Sequence, residues 1–202
     1  MKWTLLLFLL ISSGLQAQTF IVVRHGEKAV VATDATSMEK SDPPLSEAGM
    51  QRAERLATIL KDQPIVEIWS TPYRRTQATV AVVAENAGVQ IQKYSPRADS
   101  TAALIKRIKE FDEGVFLIAG HSNTLDDIVN SITGETTIPG DLDESDYGNL
   151  FFCGKKERSL CWNVRGISFF QQTYVSQDRI INLLLRMLYP RDFCRHRDRC
   201  ST

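Results

Sequence analysis

The strongest constraint on this chain is a pair of apolar, β-branched runs that each end at a histidine. Phe20-Ile21-Val22-Val23 leads into Arg24-His25-Gly26-Glu27, and Val115-Phe116-Leu117-Ile118-Ala119 leads into Gly120-His121-Ser122. A short apolar run bounded by glycine and charge reads as a buried strand spilling into a loop. The chain has three histidines in 202 residues, so two in matching contexts carry information. In an open α/β sheet, loops past the carboxyl ends of the strands share one cleft. His25 and His121 are therefore expected to meet.

The segments between these runs fit that frame. Residues 28–44 form a polar stretch with little periodicity, read as a lid or rim beside His25. Asp42-Pro43-Pro44 stops it, and Ser46 caps a helix with Glu47 in its first turn. Ala53, Leu56, Ala57 and Leu60 then recur at helical spacing. Ile65 to Trp69 is a second strand that runs into Ser70-Thr71-Pro72-Tyr73-Arg74-Arg75-Thr76. The helix after it ends at Gly88. Val89 to Lys93 is a short strand, and Ser100 is expected to cap the next helix. Another helix runs from Thr124 to Gly134. An acidic, irregular stretch fills residues 135–146, and two late strands are expected at 149–152 and 166–170. Alternating strands and helices predict an α/β fold, a three-layer α/β/α sandwich on a mostly parallel central sheet.

Composition excludes some functions. Twenty-four basic and 24 acidic residues leave a net charge of +0, so no nucleic-acid partner is expected and any functional positive charge must be local. Met1-Lys2, the apolar run Leu5 to Ile11 and the small residues up to Ala17 form a secretory signal pattern. Cleavage after Ala17 and a periplasmic or secreted location are expected. The organisation read from the chain is thus a signal peptide at 1–17, one domain at 18–190 and a basic tail at 191–202. Residues 180–188 form a short apolar helix, packed or in contact with a membrane surface. Cys153, Cys161, Cys194 and Cys200 are the only cysteines. In an exported chain they are expected as disulfides, with three possible connectivities, or as free thiols. Their spacing fits no zinc pattern well, and no metal or cofactor is expected.

Three strand ends carry the chemistry: Arg24-His25, Arg74/Arg75 and His121. Guanidinium forks match phosphate oxygens bidentately, and a neutral imidazole is a competent nucleophile. Phosphoryl transfer needs mainly positioning and charge neutralisation, which fixed cations can supply.

These residues resemble those of the histidine phosphatase superfamily, the group that includes phosphoglycerate mutase-like enzymes. The matching pieces are Val23 to Glu27, Asp42-Pro43-Pro44-Leu45-Ser46-Glu47-Ala48-Gly49, Ser70 to Gln77 and Gly120-His121-Ser122-Asn123-Thr124. They occur in the family's order over about residues 19–152. The resemblance implies a phosphoglycerate mutase-like fold and a nucleophile at His25 that becomes phosphohistidine. Arg24 and Arg75 would bind the phosphoryl group, and His121 would hydrogen-bond it. Ser122 and Asn123 would line the same pocket. Similar proteins carry the general acid either directly after the second histidine or between the second arginine and second histidine. Position 122 is Ser, so the acid is expected at Asp99. Glu27 is read as structural, holding the loop by hydrogen bonds. The expected activity is metal-independent hydrolysis of a phosphomonoester, either a phosphorylated small molecule or an envelope component. A phosphoryl-transfer mutase and a catalytically silent phosphate-binding module are the alternatives.

Overall fold

In a computed structural model of the chain, residues 18–154 and the backbone of 160–165 are described. The expected signal segment, the strand at 166–170, the helix at 180–188 and the tail with Cys194 and Cys200 lie outside them.

The chain forms β1 (Gln18–Arg24), α1 (Ser37–Ser41), α2 (Glu47–Leu60), β2 (Ile65–Ser70), α3 (Arg74–Ala87) and β3 (Ile91–Lys93). It continues with α4 (Ala98–Ile108), β4 (Gly114–Gly120), α5 (Leu125–Thr133), β5 (Asn149–Gly154) and β6 (Leu160–Arg165). The strands make one sheet in the order β3-β2-β4-β1-β5-β6. Its first four strands are parallel, and β5 and β6 are antiparallel additions on one edge. The expected α/β fold on a mostly parallel sheet is met, and the antiparallel β5 and β6 make that sheet mixed.

Strand alternation divides the core between the two faces. Ile21, Val23, Ile68 and Leu117 pack with Leu56 of α2 and with Val80 and Val83 of α3. Phe20, Val22, Phe116 and Ile118 pack with Leu104 and Ile108 of α4 and with Leu125 and Ile128 of α5. Burial on both faces explains why β1 and β4 read as unbroken apolar runs.

Local signals set most helix ends. The Ser46 hydroxyl accepts from Gly49 N at 3.1 Å, capping α2 as expected. Gly88 and Gly134 close α3 and α5 in the left-handed conformation, with φ of 66° and 77°, where a Cβ would be strained. Three elements differ from expectation: α1, α4 and β6, the last spanning Leu160–Arg165 just before the strand expected at 166–170. Residues 28–44 hold the one-turn helix α1, closed by a capping box between Thr36 and Glu39. Five residues are too few for a periodic signal, so only the cap could have revealed it. Helix α4 begins at Ala98 with Arg97 as its N-cap. Ser100 lies inside it and accepts from Ser95 N at 3.2 Å.

Cys153 is disulfide-bonded. The β5–β6 register sets Cys161 directly opposite it.

Candidate active site

The register of the three central strands builds the site. Arg24 pairs with Gly120 across β1 and β4, and Ser70 pairs with Ala119 across β2 and β4. The chain therefore leaves the sheet on one edge at Arg24-His25, Gly120-His121 and Ser70-Thr71. His25 N donates to Gly120 O at 3.0 Å, which fixes one histidine loop on the end of the other's strand. The two imidazoles meet edge to face with ring centroids 5.1 Å apart. The sequence expectation that they share a cleft is realised.

The loop carrying His25 is clamped onto α2. Glu27 takes a two-pronged ion pair from Arg52, with Nε to Oε2 at 2.9 Å and Nη2 to Oε1 closer still. Burial pushes the Glu27 carboxyl up, but the Arg52 hydrogen bonds win and hold it below its ordinary value. Ser46 N donates to Glu27 O at 2.8 Å. Gly49 is required here, because a Cβ on it would lie 2.5 Å from Glu27 O. Glu27 thus does what the sequence reading assigned to it.

His25 is 3% exposed. Its Nδ1 lies 2.7 Å from the Gly26 carbonyl, an acceptor only, so Nδ1 carries the hydrogen and Nε2 keeps a lone pair. That lone pair faces Arg75 Nε at 3.4 Å. Burial, followed by the charges of Arg75, Arg24 and Lys28, lowers the His25 pKa to about 4, against the opposing Gly26 bond. His121 is lowered to about 3 by burial first, then by His25 and the two arginines. Its Nε2 lies 2.9 Å from the Thr71 hydroxyl. Both imidazoles are neutral at neutral pH.

Arg75 stands in the first turn of α3, with its guanidinium 4.6 Å from the Tyr73 ring centre. Asp42 ties the 28–44 segment to this turn, accepting from Arg74 N at 3.0 Å and lying 3.5 Å from Arg75 Nη1. Arg24 is fully buried and stacks 4.0 Å over Tyr147. Its Nη1 donates to Asp143 O and Asp146 O, and its Nη2 to Glu144 O. Arg24 Nε and Arg75 Nη1 are buried with no hydrogen-bond partner among the described residues. The Arg75 guanidinium, though ion-paired with Asp42, stands beside two neutral imidazoles in an arrangement suited to an anion.

A cavity of about 360 Å³ opens over these groups, lined by His25, Arg75, His121, Ser122 and Asn123 together with Lys28, Tyr73 and Glu144. A second hollow of about 370 Å³ shares Lys28 and Arg75 and is walled by residues 29–31, Lys40 and Pro43. The rim role expected for the 28–44 segment is consistent with that placement. The N–H groups of Thr124 and Leu125, at the start of α5, both donate to His121 O at 3.1 Å. They hold the His121 loop and do not face the cavity as free donors.

Asp99 does not join this group. It lies in the first turn of α4 with its side chain 73% exposed and 3.4 Å from Arg97, and it does not line the cavity. Because α4 starts at Ala98, Asp99 is a first-turn charge on the solvent side, and the sequence expectation of an acid there is corrected. Among the described residues, the carboxylate that does line the cavity is Glu144, in the loop between α5 and β5. The acidic composition of residues 135–146 was the only signal for it.

A family profile described as histidine phosphatase superfamily (branch 1) matches residues 20–97. No curated protein sequence matches the chain. Among solved structures, the protein histidine phosphatase SixA complexed with tungstate superposes with a TM-score of 0.58 at 17% identity, covering 73% of this chain and 97% of that one. A mycobacterial glucosyl-3-phosphoglycerate phosphatase complexed with VO3 gives 0.54 at 14% identity, over 73% and 100% of the two chains. Phosphoglycerate mutase from Bacillus anthracis str. Sterne gives 0.54 at 15% identity, over 76% and 95%. The chain has the fold of these proteins, with helices flanking a mixed central sheet.

Proposed function

We propose that this chain is a histidine phosphatase that hydrolyses a phosphomonoester through a phosphohistidine on His25. One observation carries the reading above the others: His25, with Nε2 free of a hydrogen, lines a cavity together with the Arg75 guanidinium and the neutral His121. The profile match over residues 20–97 supports the same reading.

The phosphoryl oxygens would sit between Arg75, the Nε of Arg24 and His121. Nε2 attacks phosphorus as the ester oxygen departs, and Nδ1–H stays on Gly26 O, stabilising the charged ring. Water then attacks the phosphohistidine, and the N–P electrons return to Nε2. The cavity opens to solvent and shares Lys28 and Arg75 with the neighbouring hollow, which gives water access for this second step; a mutase must exclude it. The signal-like N-terminus supports an exported enzyme acting on a phosphorylated small molecule or an envelope component.

The test is release of nitrophenol from p-nitrophenyl phosphate in excess chelator, by the wild type and by His25→Ala. Turnover by the wild type alone is expected. Full activity in His25→Ala would overturn the mechanism, and transfer to an added alcohol in place of water would favour a mutase.

A further inference from the structure

A phosphohistidine mechanism on an ester of an ordinary alcohol needs a proton donor for the leaving oxygen. Asp99 is not placed to supply it. Glu144 is the carboxylate that lines the cavity among the described residues. It reaches there from a loop more than twenty residues past His121, and the way it is held is specific. Ser122, directly after His121, donates a hydrogen bond to Glu144 Oε1. The other oxygen, Oε2, lies 3.2 Å from Arg24 Nη2 and 3.7 Å from Lys28 Nζ.

The backbone of this loop is fixed by groups of the site itself. Arg24 takes three carbonyls from residues 143, 144 and 146, and Leu142 N donates to Ser122 O at 2.9 Å. The Glu144 side chain is 71% exposed on an anchored backbone. It can therefore move toward a ligand while its origin stays in place.

We propose that Glu144 is the proton donor to the leaving oxygen, held for that task by the Ser122 hydroxyl. The inference rests on the phosphatase reading above. In the unliganded cavity the Ser122 bond, with Arg24 and Lys28 behind it, keeps the carboxyl below its ordinary value despite the opposing effect of burial. A phosphoryl group bound beside it replaces that attraction with repulsion, so the carboxyl gains proton affinity. A monoester monoanion carries the proton in, and it passes to Glu144. As His25 Nε2 forms the N–P bond and the P–O bond breaks, Glu144 gives that proton to the departing oxygen, which leaves as the alcohol. Glu144, again a carboxylate, then takes a proton from the water that attacks phosphorus, and the N–P electron pair returns to Nε2.

The test compares phenyl phosphate, a poor leaving group, with 2,4-dinitrophenyl phosphate, a good one, in single-turnover release of the phenol. In Glu144→Gln, release from phenyl phosphate is expected to fall about 10²–10⁴-fold, the usual worth of a general acid. Release from the dinitrophenyl ester is expected to stay within about threefold, because its oxygen departs without a proton. Ser122→Ala should show the same pattern at smaller size, and Glu144→Asp should recover part of the loss. An equal loss on both esters would make Glu144 a structural tie for Arg24 and overturn the proposal. So would the leaving-group-dependent loss appearing in Asp99→Asn instead. Wild-type protein that releases neither phenol would overturn the phosphatase reading itself.

Discussion

Two neutral imidazoles buried among guanidinium groups make an acid-sensitive core, and its contribution can be isolated by removing one ring. In the unfolded chain His25 titrates near 6.5, and in the folded protein it titrates near 4. Between those values the unfolded state binds more protons, so stability rises with pH and falls on acidification. Below about 4 the folded ring is protonated too, and the loss stops growing. At pH 5 the unfolded imidazole is almost fully protonated and the folded one about a tenth so, which costs about 2 kcal/mol relative to pH 8. His121 shifts in the same direction, with burial as its largest cause and His25 as a smaller one, so the difference between a His25→Gln variant and wild type reports mainly His25. Urea unfolding of both proteins at pH 8 and pH 5 measures it. The stability of His25→Gln relative to wild type should improve by about 2 kcal/mol at the lower pH. Parallel pH profiles for the two proteins would refute the claim that His25 is held neutral by burial.

Two further outcomes follow from the site's construction. Arg75→Ala should lower kcat/KM about 10²–10³-fold, in the range of losing one preorganised charge-stabilising donor. Arg75→Lys should restore only part of that, because an ammonium cannot reproduce the fork beside His25 Nε2 and Asp42; full restoration would argue for a simple point charge. Gly49→Ala forces a Cβ onto Glu27 O, so it should destabilise the fold by about 1–3 kcal/mol and displace the His25 loop. Thermal unfolding with parallel kinetics would show both, and an unaltered Tm with full activity would contradict the close packing.

The parts legible in the sequence were those set by local rules. The apolar runs of β1 and β4 are buried on both faces, so they stood out as unbroken hydrophobic segments. His25, His121 and the Arg74/Arg75 pair stood out because each follows a strand end, where topology brings loops together, and the family resemblance then singled out Arg75. Ser46, Gly88 and Gly134 marked helix ends through caps that any chain would need. What was not legible depended on contacts between distant segments. Arg24 was expected to face the phosphate, yet its Nη groups bind carbonyls about 120 positions away, leaving its Nε unpaired. Glu144 enters the cavity only because that wrapped loop brings it there. Asp99 was the acid implied by the resemblance because position 122 is Ser, whereas its side chain is exposed beside Arg97 in the first turn of α4.

The central claim is that His25 carries the phosphoryl group, and trapping it tests this most directly. The protein is quenched in alkali within one turnover on dinitrophenyl phosphate and then mapped by mass spectrometry. The account predicts an acid-labile, alkali-stable phosphoryl group on His25 that is absent from His25→Ala. A phosphoryl group on His121, or none on His25 during turnover, would contradict it, as would steady turnover by His25→Ala.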